Sequence, residues 1–278
     1  MKGLELASTA TPTPARPKLS DEKFKELVDV IKDADSIELK LTVPQASHRE
    51  TIAALGLDPL DAQIRQVFFF DTPDLTLDSA GIVVRSRRVQ RKGDDSVVKL
   101  RPIVPSELAG PIRKSPNFGV EVDAMPGGFV CSGSMKNALG IGAVKEFLGG
   151  ERPLRKLFSK EQRALFAEHA PAGVTLDDLE ILGPIFVMKL KYVPEGFARS
   201  MVAEMWLYPD DRWILELSTK CLPTEAFQTA AEARVFLTEH GVTLAGEQQT
   251  KTRTALEFFA GRLKAASAGK GKAKSTAA

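Results

Sequence analysis

The sequence predicts an α+β fold, in which antiparallel strands bearing one charged face are flanked by helices. Three observations carry that prediction. Five stretches alternate charged with aliphatic residues: Ser36-Ile37-Glu38-Leu39-Lys40, Arg85 and Arg87 after Val83, Lys99 and Arg101 after Val97, Glu121 and Asp123 among Val120 and Val122, and Lys189 and Lys191 among Met188 and Leu190. A strand has a side-chain period of two, so each stretch places its charges on one face and its apolar residues on the other. Next, Asp78-Ser79-Ala80-Gly81 and Gly93-Asp94-Asp95 join successive β-prone runs, a hairpin signal that argues for antiparallel pairing. Finally, the strands fall into two groups, each followed by helix-patterned segments, as in α+β proteins.

The elements follow in chain order. Ser20 suits the N-cap of a helix over 20–32, whose stripe is Phe24, Leu27, Val28 and Ile31. A strand over 37–43 stops at Pro44, and a helix over 47–55 stops at Gly56. The run Val67-Phe68-Phe69-Phe70 reads as a strand that breaks at Asp71-Thr72-Pro73-Asp74; strands over 82–89 and 96–101 come next. A strand around 120–123 precedes a helix predicted over 134–148, weakened by its glycines. Ser159 with Gln162 forms a capping box for a helix to His169. Strands over 185–193, 201–208 and 213–218 follow, then helices over 224–241 and 250–263.

Length and composition allow a real core: 278 residues, 43% of them apolar. The net charge of +2 gives no general attraction to nucleic acid, so any basic site is local and no specific nucleic acid is expected as partner. Cys131 and Cys221 have neither metal nor CxxC spacing, which fits two buried thiols in a reducing cytoplasm. No apolar run reaches membrane length, so no membrane partner is expected. Residues 1–19 and the Ala/Gly/Ser/Lys-rich 265–278 read as disordered ends of one domain over 20–264. His48, His169 and His240 lack partners at metal or triad spacing and read as surface or cap residues. Trp206, Tyr208 and Trp213 around one turn either pack a barrel end or stack on a base.

The charged face gathers Lys40, Arg85, Arg87, Lys99, Arg101, Lys189 and Lys191 with Glu38, Glu121, Asp123, Glu204 and Glu216; Lys220 lies just beyond the last strand. An ordinary antiparallel sheet with a solvated polar face explains each strand taken singly. Against it, like charges crowd the two adjacent strands of 82–89 and 96–101, where they repel without an anion between them. Strands covered by helices on one side also curl into barrels with polar interiors. In that arrangement Arg and Lys would hold phosphate oxygens and the carboxylates a hard cation such as Mg²⁺.

These residues resemble the CYTH domain, the triphosphate tunnel metalloenzyme family. The family's opening E-x-E-x-K motif corresponds to Ser36-x-Glu38-x-Lys40. Its next block corresponds to Phe69-Phe70-Asp71-Thr72-Pro73-Asp74-Leu75, Leu77-Asp78-Ser79-Ala80-Gly81-Ile82, Arg85-x-Arg87-Arg88 and Val98-Lys99-Leu100-Arg101. The likeness spans roughly residues 34 to 220. It implies an antiparallel eight-stranded β-barrel, a tunnel with flanking helices, that binds a triphosphate-containing small molecule with Mg²⁺ or Mn²⁺. Under it Lys40, Arg85, Arg87, Lys99, Arg101, Lys189 and Lys191 grip phosphate; Glu38, Glu121 and Glu216 hold the cation; Glu204 or Asp123 orients water. Family members include triphosphatases and class IV adenylate cyclases. Ser36 and Ser218 stand where the family pattern has carboxylates, which leaves a non-catalytic nucleotide- or polyphosphate-binding module as an alternative.

Overall fold

Nine strands hydrogen-bond edge to edge until the last meets the first. The structure, a computed structural model, describes residues 20–244 and 251–275, the last ten of these as backbone alone. In chain order the elements are α1 (Asp21–Lys32), β1 (Ser36–Val43), α2 (His48–Ala54), β2 (Gln63–Asp71), α3 (Thr76–Ser79), β3 (Ile82–Val89), β4 (Asp95–Leu100), α4 (Gly110–Arg113), β5 (Phe118–Met125) and β6 (Gly128–Ala138). There follow α5 (Ala143–Leu148), α6 (Lys160–His169), β7 (Glu180–Tyr192), β8 (Met201–Leu207), β9 (Trp213–Cys221), α7 (Ala226–Glu239) and α8 (Lys251–Ser275). The segment 1–19, expected to be disordered, lies outside the described residues. Helix α8 runs on through Ser275, into the stretch read as a tail.

Round the barrel the order is β1-β5-β6-β4-β3-β2-β7-β8-β9, with β9 pairing back onto β1. The expected barrel of eight antiparallel strands is corrected in two ways. One neighbouring pair, β1 with β5, is parallel, setting Ser36 opposite Glu121 and Glu38 opposite Asp123. The ninth strand is β6, whose second half was expected to begin a helix. Met125-Pro126-Gly127-Gly128 turns β5 back, with Gly127 at φ +87°, where an L side chain is strained. Residues 134–138 then pair with β4 and β5, and the helix shrinks to α5.

The aliphatic faces point outward and are covered. Ile37, Val84, Val98 and Val122 share one core with Leu27 and Ile31 of α1, Val144 of α5 and Leu165 of α6. Leu41, Ala203, Met205, Leu215 and Leu217 share a second with Ala233, Phe236 and Leu237 of α7. Each such aliphatic side chain removed from water contributes about 1.5–3 kcal/mol. The Ser159–Gln162 capping box forms as expected. The Gln162 amide also donates to the carbonyls of Ser96 and Met135, both at 3.0 Å, tying α6 across β4 and β6.

At one end the inward face is apolar as well. Val67, Phe69, Val83, Val187 and Trp206 meet Ala255, Leu256 and Phe259 of α8, which seats itself there. The charged side chains occupy the rest of the interior. Among the described residues no helix is long and apolar enough to cross a membrane.

Candidate functional site

The loop from β2 to β3 aims the arginines. Asp71, buried at the end of β2, accepts backbone N–H bonds from Thr72 at 2.7 Å, Leu77 at 2.9 Å and Asp78 at 3.0 Å. One carboxylate thereby folds the turn that contains α3. Gly81 follows at φ +75°, and a Cβ there would stand 2.4 Å from the Arg101 carbonyl oxygen. Only glycine permits this approach, across which the Arg101 N–H donates to the Gly81 carbonyl at 2.8 Å. The β3–β4 register that follows places Val83 opposite Lys99 and Arg87 opposite Asp95.

The inward face encloses a cavity of about 580 Å³. Glu38 and Lys40 line it from β1, Arg85 and Arg87 from β3, Lys99 and Arg101 from β4 and its end, and Glu121 and Asp123 from β5. Lys189, Glu204 and Glu216 line it from β7, β8 and β9. Eleven of the twelve expected site residues therefore meet in one space. The exception is Lys191, which is exposed and does not line it. It follows Lys189 on the same face of β7 but sits at the strand's end, where the barrel opens. Expectation from alternation also passed over Arg65, Lys136 and Lys251, which do line the cavity. Arg65 carried a readable signal: Gln63-x-Arg65-x-Val67 alternates like the other strands.

On the β1–β5 side three carboxylates converge. Ligand oxygens of Glu38, Glu121 and Asp123 all lie within 4.8 Å of one another. Lys40 Nζ stands between two of them, 2.8 Å from Asp123 Oδ1 and 3.2 Å from Glu38 Oε2. Lys99 Nζ is 3.4 Å from Asp123 Oδ2, and the half-exposed Lys220 pairs with Glu121. Burial works to raise the Asp123 pKa, but Lys40 and Lys99 overrule it and hold the carboxyl at about 2. Burial likewise opposes ionisation of Lys40, and Asp123 and Glu38 reverse that, raising its pKa. Ser218 Oγ donates to Glu38 Oε1 at 3.1 Å and Ser36 Oγ faces Glu121 Oε2 at 3.5 Å. The two serines thus orient the carboxylates beside them. Three hard oxygen donors at this spacing fit a divalent cation such as Mg²⁺ or Mn²⁺. Glu216, expected in this group, lies elsewhere; Asp123 takes its place.

The β3–β4 side is the opposite in character. Arg87 is held by Asp95 in a two-pronged contact, Nε and Nη2 each at 2.8 Å. Arg85 is different: its Nε is buried and has no hydrogen-bond partner. Burial first, and Arg87 beside it second, push its pKa down to about 10. Burial also lowers the pKa of Lys99 and of Lys189.

Glu204 and Glu216 lie directly opposite each other across β8 and β9. Lys251, the first residue of α8, reaches between them, pairing with Glu204 and standing 2.7 Å from Glu216 Oε1. Lys189 at 3.2 Å and the Trp206 indole N–H, also at 3.2 Å, complete the surroundings of Glu204. Burial would raise the Glu204 pKa, yet Lys251 and Lys189 hold it well below the usual carboxylate range. The aromatic residues of this end are packed. Trp206 and Tyr208 are buried against α8, and Trp213 lies against His48, 4.2 Å between ring centroids. His48 itself is buried, its Nε2 3.0 Å from the Val43 carbonyl, and so is not a surface residue; it caps the single turn Gln45–Ser47. His169 and His240 do bind carbonyls one turn back in their helices.

No protein-family model and no curated protein matches this chain. Solved structures do. A proposed adenylate cyclase of Bacillus halodurans superposes with a TM-score of 0.54 at 13% identity, over 79% of this chain and 97% of that one. A proposed adenylyl cyclase of Hippeastrum, described as having a dominant triphosphatase activity, gives 0.55 at 17% identity, over 76% and 91%. The shared feature is the fold. This chain, a closed barrel with flanking helices, shares that fold.

Proposed function

We propose that this protein is a divalent-cation-dependent phosphohydrolase acting on a triphosphate, either inorganic triphosphate or the triphosphate of a small organic or nucleoside compound. One observation carries the reading: a single enclosed cavity holds the Glu38–Glu121–Asp123 cluster and also Arg85, whose buried Nε has no hydrogen-bond partner. Among the described residues ten cationic side chains line the cavity against six carboxylates, a balance that attracts a polyanion. The barrel likeness to a protein described as a triphosphatase supports the same reading.

Arg85, Lys99, Arg101 and Lys189 would take the phosphoryl oxygens through charge-assisted hydrogen bonds. Lys99 is suited to bridge the two sides, because it lies beside both Asp123 and the arginines. Glu38, Glu121 and Asp123 would hold the cation, and Ser218 and Ser36 keep two of those carboxylates in place. A cation bound there supplies charge neutralisation on phosphoryl oxygen and orients the attacking water. The basic side chains stabilise the charge that moves to the leaving oxygen as the P–O anhydride bond breaks. Hydrolysis of inorganic triphosphate in this way yields diphosphate and phosphate. The buried, engaged state of Glu204 disfavours it as the residue that orients water.

Phosphate release from inorganic triphosphate, thiamine triphosphate and ATP, each with Mg²⁺, Mn²⁺ or a chelator, tests the proposal. Cation-dependent release is expected with at least one of them, and its loss in Glu38→Ala. Tight binding of triphosphate without release would favour a binding module, a reading supported by the serines at positions 36 and 218. Cyclic AMP formed from ATP without phosphate release would favour a cyclase.

A further inference from the structure

We propose that Lys251 is a built-in cation that occupies the Glu204–Glu216 pair, so that the cavity takes one divalent cation and not two. The inference rests on the reading of the cavity as a cation site, and it concerns the number of ions. Two glutamates facing each other across neighbouring strands repel, the more so at the low exposure of their side chains, 14% and 7%. A positive charge between them relieves that repulsion. Lys251 supplies it from a fixed place.

Three contacts fix that place. The Tyr208 hydroxyl donates to the Lys251 carbonyl at 3.3 Å. Ala255, Leu256 and Phe259, one and two turns farther along α8, are buried on the apolar end of the barrel. The Lys251 ammonium also lies over the Trp206 ring, 5.0 Å from its centroid. It is thus delivered by a docked helix and held by two carboxylates and an indole. At the other carboxylate group Lys40 is held as closely, 2.8 Å from Asp123 Oδ1, but the two cations beside it are placed more loosely. Lys220 is half exposed, at 51%, and Lys99 stands 3.4 Å from its partner. An incoming divalent ion can displace contacts of that kind. At Glu204 and Glu216 it would have to expel an ammonium tethered to the core, and among the described residues no third carboxylate joins the pair as Asp123 joins Glu38 and Glu121.

The test is a Mn²⁺ titration of the full chain without phosphate, following free Mn²⁺ by electron paramagnetic resonance. The wild type is expected to bind one equivalent and Lys251→Met two. The double variant Lys251→Met, Glu216→Gln should return to one. A wild type that binds two equivalents overturns the proposal, whatever the variants do. So does Lys251→Met, folded by circular dichroism, that still binds one. If neither wild type nor variant binds Mn²⁺, the cavity is not a cation site and the proposed hydrolase fails with it.

Discussion

The two sides of the barrel interior differ in how their charges are satisfied. On the β1–β5 side every carboxylate has a cation, and Lys40, between Asp123 and Glu38, gains basicity from its neighbours. On the β3–β4 side Arg85, half-buried beside Arg87, loses basicity and leaves its buried Nε unpaired. Both sides are built on the same alternation of charged and aliphatic residues. One is a completed set of ion pairs. The other pairs Arg87 with Asp95 but leaves the Arg85 Nε without an acceptor. Under the proposed function the first side takes the cation and the second the anion, and mutations should act with opposite signs on the two sides.

The largest effect is expected at the completed side. Asp123→Asn leaves Lys40 and Lys99 buried without their shared counter-charge, and breaking a buried pair from one partner costs about 3–5 kcal/mol. Chemical denaturation should show the loss directly; a change within experimental error would mean that the β1–β5 cluster is not held by its ion pairs. At the other side, Arg85→Met should remove a buried, unsatisfied charge and leave stability unchanged or raise it by about 1 kcal/mol. The same substitution should weaken triphosphate binding by roughly 2–4 kcal/mol, about 30- to 1000-fold, measured by titration calorimetry.

Acid sharpens the comparison further. The Asp123 carboxyl has a pKa of about 2 when folded, below its ordinary value of 3.8. Its contribution is complete above pH 4 and is lost as pH falls through 4 to 2, about 2 kcal/mol in all. Denaturation midpoints across that window should fall, and a flat profile would show that Lys40 and Lys99 do not hold the carboxylate. The smallest change is expected for Ser218→Ala, which removes only the hydroxyl donor to Glu38. Mn²⁺ affinity should weaken about tenfold, as for other losses of a partner behind a metal ligand.

Most of the inward face was legible because period two is local. Each of the five alternating stretches needs only its own residues to say which side chains share a face. The pairing of those faces is not local. Glu38 meets Asp123 through the parallel β1–β5 register, and Glu216 meets Glu204 through β8–β9. Alternation encodes neither register, so the expected cation set of Glu38, Glu121 and Glu216 differs from the carboxylate group that comes together, Glu38, Glu121 and Asp123. Strand β6 was hidden for a different reason. Its Gly128 and Gly133 are weak strand formers, yet Gly133 is required where it stands. A Cβ on Gly133 would lie 2.4 Å from the Phe118 ring. Lys251 left no mark at all, since a lysine at a helix start is ordinary until the helix is seen to dock inside a barrel.

The most direct test of the central claim, that the β3–β4 side awaits a polyanion, is the denaturation midpoint with and without inorganic triphosphate, in wild type and in Arg85→Met. Ligand at a hundred times its dissociation constant should stabilise the wild type by about 2.7 kcal/mol. The variant should match or exceed the wild type without ligand and gain little from it. Equal stabilisation of both proteins, or none of the wild type, would contradict the account.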